Sequence, residues 1–109
     1  MTDIAQTQLQ PQPKLELISR TAEGEEWCFH CPGCGYGHWF RTNAEGVTRR
    51  PAWQWNGDIE KPTVTPSILV SVSKPSARCH LFITSGKIQF LEDCFHHLAG
   101  QTVPLEPID

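Results

Sequence analysis

The sequence contains no apolar run long enough to cross a membrane. Runs such as 68–70 and 81–83 are far shorter than the ~20 residues of a transmembrane helix. It also lacks an excess of positive charge, because nine Lys and Arg against twelve Asp and Glu leave a net charge of −3. Duplex DNA and anionic membranes select clustered positive charge, so we expect neither as a partner. The first residues are not a basic segment followed by an apolar stretch, so no signal peptide is predicted. We expect a soluble intracellular protein.

Cysteine is present in an odd number, which excludes a complete set of internal disulfides. The 109 residues include five Cys and five His, and hydrophobic residues make up 39%, with four Trp and five Phe. Disulfides are rare in a reducing compartment, whereas Cys and His together are typical of metal sites. We therefore expect one domain with a feasible core and a bound Zn²⁺.

Three segments are predicted along the chain. Residues 1–14 are rich in Gln and Pro and poor in large apolar side chains, which predicts a flexible N-terminal tail. Residues 15–104 are predicted to form a single zinc-binding β domain. Residues 105–109 are assigned to a C-terminal tail, because Pro104 and Pro107 interrupt regular structure.

Alternating side chains predict a mainly β fold, a compact antiparallel sheet domain, with a small α+β arrangement as the alternative. In residues 26–31 the alternation places Trp27, Phe29 and Cys31 on one face. Residues 63–72 also resemble a strand. Pro66 donates no ladder hydrogen bond, so this strand is predicted to begin at an edge or to contain a bulge.

A C-terminal hairpin and one short helix are also predicted. A two-residue turn at Ser85-Gly86 would form the hairpin, and its predicted pairs are Ile83 with Ile88, Leu81 with Phe90, and Cys79 with Glu92. Residues 94–99 are predicted to be helical, with Asp93 as the N-cap and Gly100 at the end.

The string Cys-Pro-Gly-Cys-Gly at 31–35 is the most specific motif. Two thiolates separated by two residues can fold onto one tetrahedral zinc. A turn with two unliganded thiols is the simpler alternative. The zinc-knuckle interpretation is favoured, because glycines permit the tight backbone around an ion.

Two more ligands must come from distant residues. Cys79 and Cys94 lie at the base of the hairpin and are the simplest choice, giving the metal set Cys31, Cys34, Cys79 and Cys94. His80 is the main rival of Cys79, and a helical or an extended chain would align His97 or His96, respectively, with Cys94. Cys28 is predicted to be a buried thiol, and His30 and His38 to be exposed or hydrogen-bonded rather than ligands.

Catalysis and nucleic-acid binding are the other functional interpretations. Asp93, His80 and His96 could surround an open metal position as a zinc-dependent hydrolase or nuclease. No His-Glu-x-x-His string, phosphate-binding Gly loop or nucleophile elbow accompanies them. A platform that stacks on single-stranded nucleic acid could be formed by Trp39, Phe40, Trp53 and Trp55, but core packing is favoured because the chain is acidic.

Five motifs follow one another in an order that resembles a family of short tailed-phage and prophage proteins of unknown function. The resemblance covers residues 27–103, and its motifs are CPGCG at 31–35, WQWNGD at 53–58, PTVTPSI at 62–68, CHLFI at 79–83 and DCFHHLAGQTV at 93–103. The resemblance implies a phage origin and a metal site, and its motif positions favour His96 over His97. Members are sometimes labelled ammonia monooxygenase, a membrane enzyme whose spanning segments this chain lacks.

The sequence thus favours a small, non-enzymatic, zinc-stabilised phage accessory protein in the cytoplasm of the bacterial host. Its expected partner is a host protein, with a component of a defence system as one candidate. The hydrolase or nuclease and the single-strand binder are the two alternatives.

Overall fold

The computed structural model describes residues 12–71 and 77–108. Most of the predicted N-terminal tail therefore lies outside the described residues, as does the end of the stretch 63–72. Within the described residues, strands form two antiparallel sheets of three and five strands. They are β1 (Glu16–Thr21), β2 (Gly24–Cys31), β3 (Tyr36–Asn43), β4 (Gln54–Trp55), β5 (Val64–Ser71), β6 (Arg78–Thr84), β7 (Lys87–Phe90) and β8 (Thr102–Pro104).

The first sheet has the order β1-β2-β3. Strand β2 pairs with β3 in unbroken register from Gly24 opposite Asn43 to Cys31 opposite Tyr36. Trp27, Phe29 and Cys31 are buried on one face of β2, which confirms the predicted alternation. The buried face of β2 therefore ends at Cys31, which is the first residue of the predicted knuckle.

The second sheet has the order β4-β5-β6-β7-β8. The pairing of β5 with β6 shifts between Val64, opposite Ile83, and Ile68, opposite Leu81. Pro66 lies in this bulge, where its missing N–H costs no ladder hydrogen bond. The predicted bulge is thus confirmed, and β5 is not an edge strand because β4 pairs with its other side.

The hairpin of β6 and β7 has the predicted register. Ile83 pairs with Ile88 and Leu81 with Phe90, although β7 ends at Phe90 and the predicted pair of Cys79 with Glu92 does not form. Ser85 and Gly86 have φ angles of 51° and 81°, which is the left-handed pair that a two-residue hairpin turn requires.

The predicted helix at 94–99 does not form, and residues 95–99 lie in consecutive bends and turns. The reason is a competing set of backbone partners in β6. The N–H of Leu91 donates to the His80 carbonyl and the N–H of Phe95 to the Arg78 carbonyl, each at 2.9 Å. Asp93 is therefore not a helix cap, and the segment remains attached to the edge of β6.

A single hydrophobic core joins the inward faces of both sheets, which confirms the mainly β, compact domain. Trp27 of the first sheet contacts Trp55 of the second, with ring centroids 4.9 Å apart. Leu105, in the predicted C-terminal tail, is 2% exposed, and its N–H donates to the Gly86 carbonyl. No helix in the described part of the chain is long and apolar enough to cross a membrane.

Candidate functional site

Four Cys and His side chains converge where the two sheets meet. Cys31 ends β2, Cys34 follows in the turn, His38 lies in β3 and Cys79 lies in β6. Their candidate ligand atoms all lie within 4.8 Å of one another, and the sulfurs of Cys31 and Cys79 are 4.0 Å apart. This group could hold a metal ion, since its size and donor types fit a four-coordinate site.

The electrostatics of the group favour a thiolate at Cys31. A hydrogen bond from the Cys79 thiol lowers the pKa of Cys31 to about 3, and His38 and the Cys34 N–H act in the same direction against burial. The same hydrogen bond and burial raise the pKa of Cys79. Burial and the nearby charge of Cys31 raise the pKa of Cys34. One negative sulfur among neutral thiols would attract a cation, and a bound cation would deprotonate the others.

The environment of His38 is a second observation that fits a metal site. Its side chain is 1% exposed, and its Nε2 atom has no hydrogen-bond partner among the residues that the structure describes. Leaving a buried nitrogen unpaired costs free energy unless another group is bound to it. The prediction that His38 is exposed or hydrogen-bonded is therefore wrong at Nε2. The alternation of side chains along β3 indicates an inward His38, because Phe40, two residues away, is also buried.

The predicted fourth ligand, Cys94, belongs to a different group. Cys94, Cys79 and His96 lie within 4.8 Å of one another, but Cys94 does not join the group of Cys31 and Cys34. Its sulfur instead lies 3.2 Å from the His80 amide nitrogen and 3.1 Å from the His80 carbonyl oxygen. The turns after Leu91 direct Cys94 to the β6 backbone, so the extended geometry assumed for the predicted site is not present.

His96 lies beside the knuckle. Its Nε2 atom is 3.4 Å from the Cys79 sulfur, and its ring fills the space that a Cβ at position 33 would occupy. Glycine at 33 is therefore required for this packing. His96 is thus close to one thiol of the cluster, whereas His80 is on the opposite face of β6 from Cys79.

His80 instead connects two oxygen-bearing side chains on that outward face. Its Nε2 atom lies 3.1 Å from Ser67 Oγ, and its Nδ1 atom lies 3.3 Å from Asp93 Oδ2. Ser67 comes from the bulge of β5, and Leu69 two residues later pairs directly with His80. The side chains of His80 and Asp93 are 26% and 39% exposed, so a reactant could reach this Ser-His-Asp chain from solvent.

Asp93 also receives a contact from Arg78, whose Nη1 is 3.4 Å from Oδ2. Burial acts to raise the pKa of Asp93, but the hydrogen bond and charge of His80 and the hydrogen bond of Arg78 outweigh it, so the pKa is lowered. Asp93 therefore remains a carboxylate that accepts a hydrogen from Nδ1. When the imidazole is neutral and carries its proton on Nδ1, Nε2 is the hydrogen-bond acceptor for the Ser67 hydroxyl.

The sequence interpretation identified His80 and Asp93 but missed Ser67. No local motif surrounds this serine, and its distance along the chain from His80 gives no spacing rule, because triads are recognised by geometry. The only local signal was Pro66, which predicted a bulge at the preceding position. The Trp53 indole N–H donates to the Ser67 carbonyl at 3.1 Å. Core packing is confirmed for Phe40, Trp53 and Trp55, whereas it is wrong for Trp39, which is 59% exposed.

One family model matches residues 2–91 of this chain, which includes the knuckle, Ser67 and His80. Neither the curated proteins nor the solved structures contain a match to the chain. The matched residues cover most of the 109-residue sequence. The chain belongs to the family described as bacterial ubiquitination-like system serine protease (BubE).

Proposed function

We propose that this protein is a serine protease that acts on a protein of a ubiquitination-like system. The observation that carries the proposal is the hydrogen-bonded chain in which His80 lies 3.1 Å from Ser67 Oγ and 3.3 Å from Asp93 Oδ2. This is the nucleophile, base and orienting carboxylate of acyl transfer. The family description supports the reaction class and the system in which it acts.

In the proposed reaction, Ser67 Oγ attacks the carbonyl carbon of the scissile bond while His80 Nε2 takes the hydroxyl proton. The imidazolium then gives this proton to the leaving amine as the carbon–nitrogen bond breaks, and an acyl-serine forms. Water repeats the sequence, with His80 again as base, and releases the acid and free Ser67. Asp93 holds the imidazole in the required tautomer throughout.

The metal of the Cys–His group is proposed to be zinc, held by Cys31, Cys34, His38 and Cys79. A site with four protein ligands has no open position for a water and therefore serves structure. Its role here would be to fix the position of β6. In this strand the Cys79 side chain faces the core and the His80 side chain faces outward. A zinc hydrolase built on His80, His96 and Asp93 receives less support, because His80 and Asp93 are already paired with each other and with Ser67.

The exposed apolar side chains of Leu69 and Phe82 lie on the same face as His80, which supports a protein as the substrate. A small accessory protein is compatible with this family and site. Phage origin, binding of a host protein and a non-enzymatic role remain predictions of the sequence. The geometry favours the protease over the non-enzymatic role.

The proposal is tested with a fluorophosphonate probe, which reacts covalently with activated serines, followed by intact-mass and peptide mapping. We expect one probe per chain, attached to Ser67, and no labelling of the Ser67→Ala variant. Ser71→Ala is the matched control, because Ser71 is an exposed serine of the same strand, and it should label normally. Labelling that persists in Ser67→Ala, or an unreactive wild-type chain with bound zinc, would rule out the proposed protease.

A further inference from the structure

An open cleft borders Ser67, and His80 is not among the residues that line it. It has a volume of about 680 Å³ and is lined in part by Val47, Arg49, Arg50, Trp53, Pro66 and Ser67. This volume is in the range of small-molecule and peptide sites. A substrate chain whose scissile bond lies at Ser67 would therefore continue into this cleft on one side.

Hydrogen bonds hold the wall of the cleft in position. Arg41 donates from Nε to the Pro51 carbonyl and from Nη2 to the Arg50 carbonyl, both at 2.8 Å. Trp53 donates its indole N–H to the Ser67 carbonyl, which ties the wall to the backbone of the nucleophile. The position of the wall relative to Ser67 is thus fixed by hydrogen bonds rather than by loop packing alone.

The charge of the cleft is opposite to that of the protein. Among the described residues, two arginines and no acidic residue line it, although the chain has a net charge of −3. Arg49 is held by Asn43 and the Thr42 carbonyl and lies 3.6 Å from Glu23. Arg50 is exposed and makes no ion pair within the described residues, so its charge is available to a ligand.

We propose that this cleft binds the substrate segment next to the scissile bond, and that Arg50 recognises a carboxylate on that segment. The proposal rests on the proposed protease function and adds a specificity-determining residue to it. A guanidinium suits a carboxylate because it offers paired donors. The carboxylate could belong to an Asp or Glu side chain or to the C-terminus of the substrate.

The test uses internally quenched peptides with a central Ala-Ala pair. One set carries Asp or its neutral analogue Asn on either side of the pair, and a second set carries a free or an amidated C-terminus. We expect Asp or the free terminus, on one side only, to raise kcat/KM by about three- to tenfold, mainly through KM, and added salt to reduce this preference.

Arg50→Gln should abolish the preference, so that the Asp and Asn peptides are cleaved with equal kcat/KM. Arg20→Gln is the control, since Arg20 is an exposed arginine of the first sheet whose side chain is 63% exposed, and it should keep the preference. Arg50→Glu should reverse the preference, so that peptides with Lys in place of Asp are cleaved faster than the Asp peptides.

Equal cleavage of all acidic and neutral peptides, or a preference that survives Arg50→Gln, would overturn the cleft assignment while the protease function stands. If Ser67 is not labelled and no peptide is cleaved, the protease function fails and the cleft assignment fails with it.

Discussion

His80 has one side-chain partner at each ring nitrogen, and the two partners have different roles. Ser67 supplies a hydroxyl to Nε2, whereas Asp93 supplies a carboxylate to Nδ1. The carboxylate matters because neutral imidazole exists as two tautomers, and only the one protonated on Nδ1 can accept the serine proton at Nε2. The activity of the serine should thus depend on a residue that never contacts the substrate carbonyl.

Replacing Asp93 with Asn should slow the labelling of Ser67 by fluorophosphonate by about 10²- to 10⁴-fold, because the amide can hold the wrong tautomer. Glu92→Gln is the matched control, since Glu92 is the exposed acid next to Asp93. Equal labelling rates in the Asp93→Asn variant and the wild-type protein would contradict the role assigned to this carboxylate.

Zinc content distinguishes the two possible fourth ligands. His38→Asn should reduce the bound zinc well below one per chain, because it removes the buried nitrogen that lacks a partner. Cys94→Ser should keep the zinc, because a hydroxyl can take over the contacts with the His80 backbone. Elemental analysis of both purified variants gives the answer. Retention in His38→Asn with loss in Cys94→Ser would restore the four-cysteine site predicted from sequence.

At the scale of elements, local rules predicted much of the second sheet. The turn at Ser85-Gly86 fixes the pairing of Ile83 with Ile88 because a two-residue turn leaves one register. Pro66 similarly signalled the bulge. The segment after Leu91 could not be predicted in the same way, because a good N-cap and a terminating Gly say nothing about competing partners in β6. The same competition places the Cys94 sulfur against the His80 backbone.

Gly86→Ala should destabilise the fold more than Gly57→Ala. Both glycines have φ of 81°, which costs other residues about 1–3 kcal/mol. A Cβ at position 86 would additionally lie 3.2 Å from Lys61 Cα and 3.3 Å from the Glu60 carbonyl, whereas one at 57 meets open space. We expect the free energy of unfolding in urea to fall by about 1 kcal/mol more for Gly86→Ala. Equal losses would indicate that the backbone approach is unimportant.

At the scale of the whole molecule, the Cys–His group links the two sheets. Cys31, Cys34 and His38 come from the first sheet and the turn that follows β2, while Cys79 comes from the second. A bound metal would therefore cross-link segments that are far apart in sequence, in addition to the shared core. The sequence predicted three of these four residues, because knuckle spacing and hairpin register are local signals. The meeting of His38 with Cys79 depends on how the sheets pack.

Removing the metal should lower the thermal stability of the whole domain. We expect EDTA treatment or Cys34→Ser to lower Tm by about 10 °C or more in thermal circular dichroism. Cys28→Ser is the control, because Cys28 is also partly buried but belongs to neither group of candidate ligands among the described residues. An EDTA-treated protein with unchanged Tm would argue against a structural metal.

The contact between Trp27 and Trp55 has an optical consequence. The two indoles belong to different sheets, and their rings lie 4.9 Å apart at 55° to one another. Close, tilted chromophores couple their transition dipoles, so the pair should add an exciton couplet to the far-ultraviolet spectrum. Because each indole is anchored in its own sheet, this couplet should vanish when the sheets separate, even while the hairpin of β6 and β7 remains intact. The protein thus carries an intrinsic signal for the docking of its two sheets.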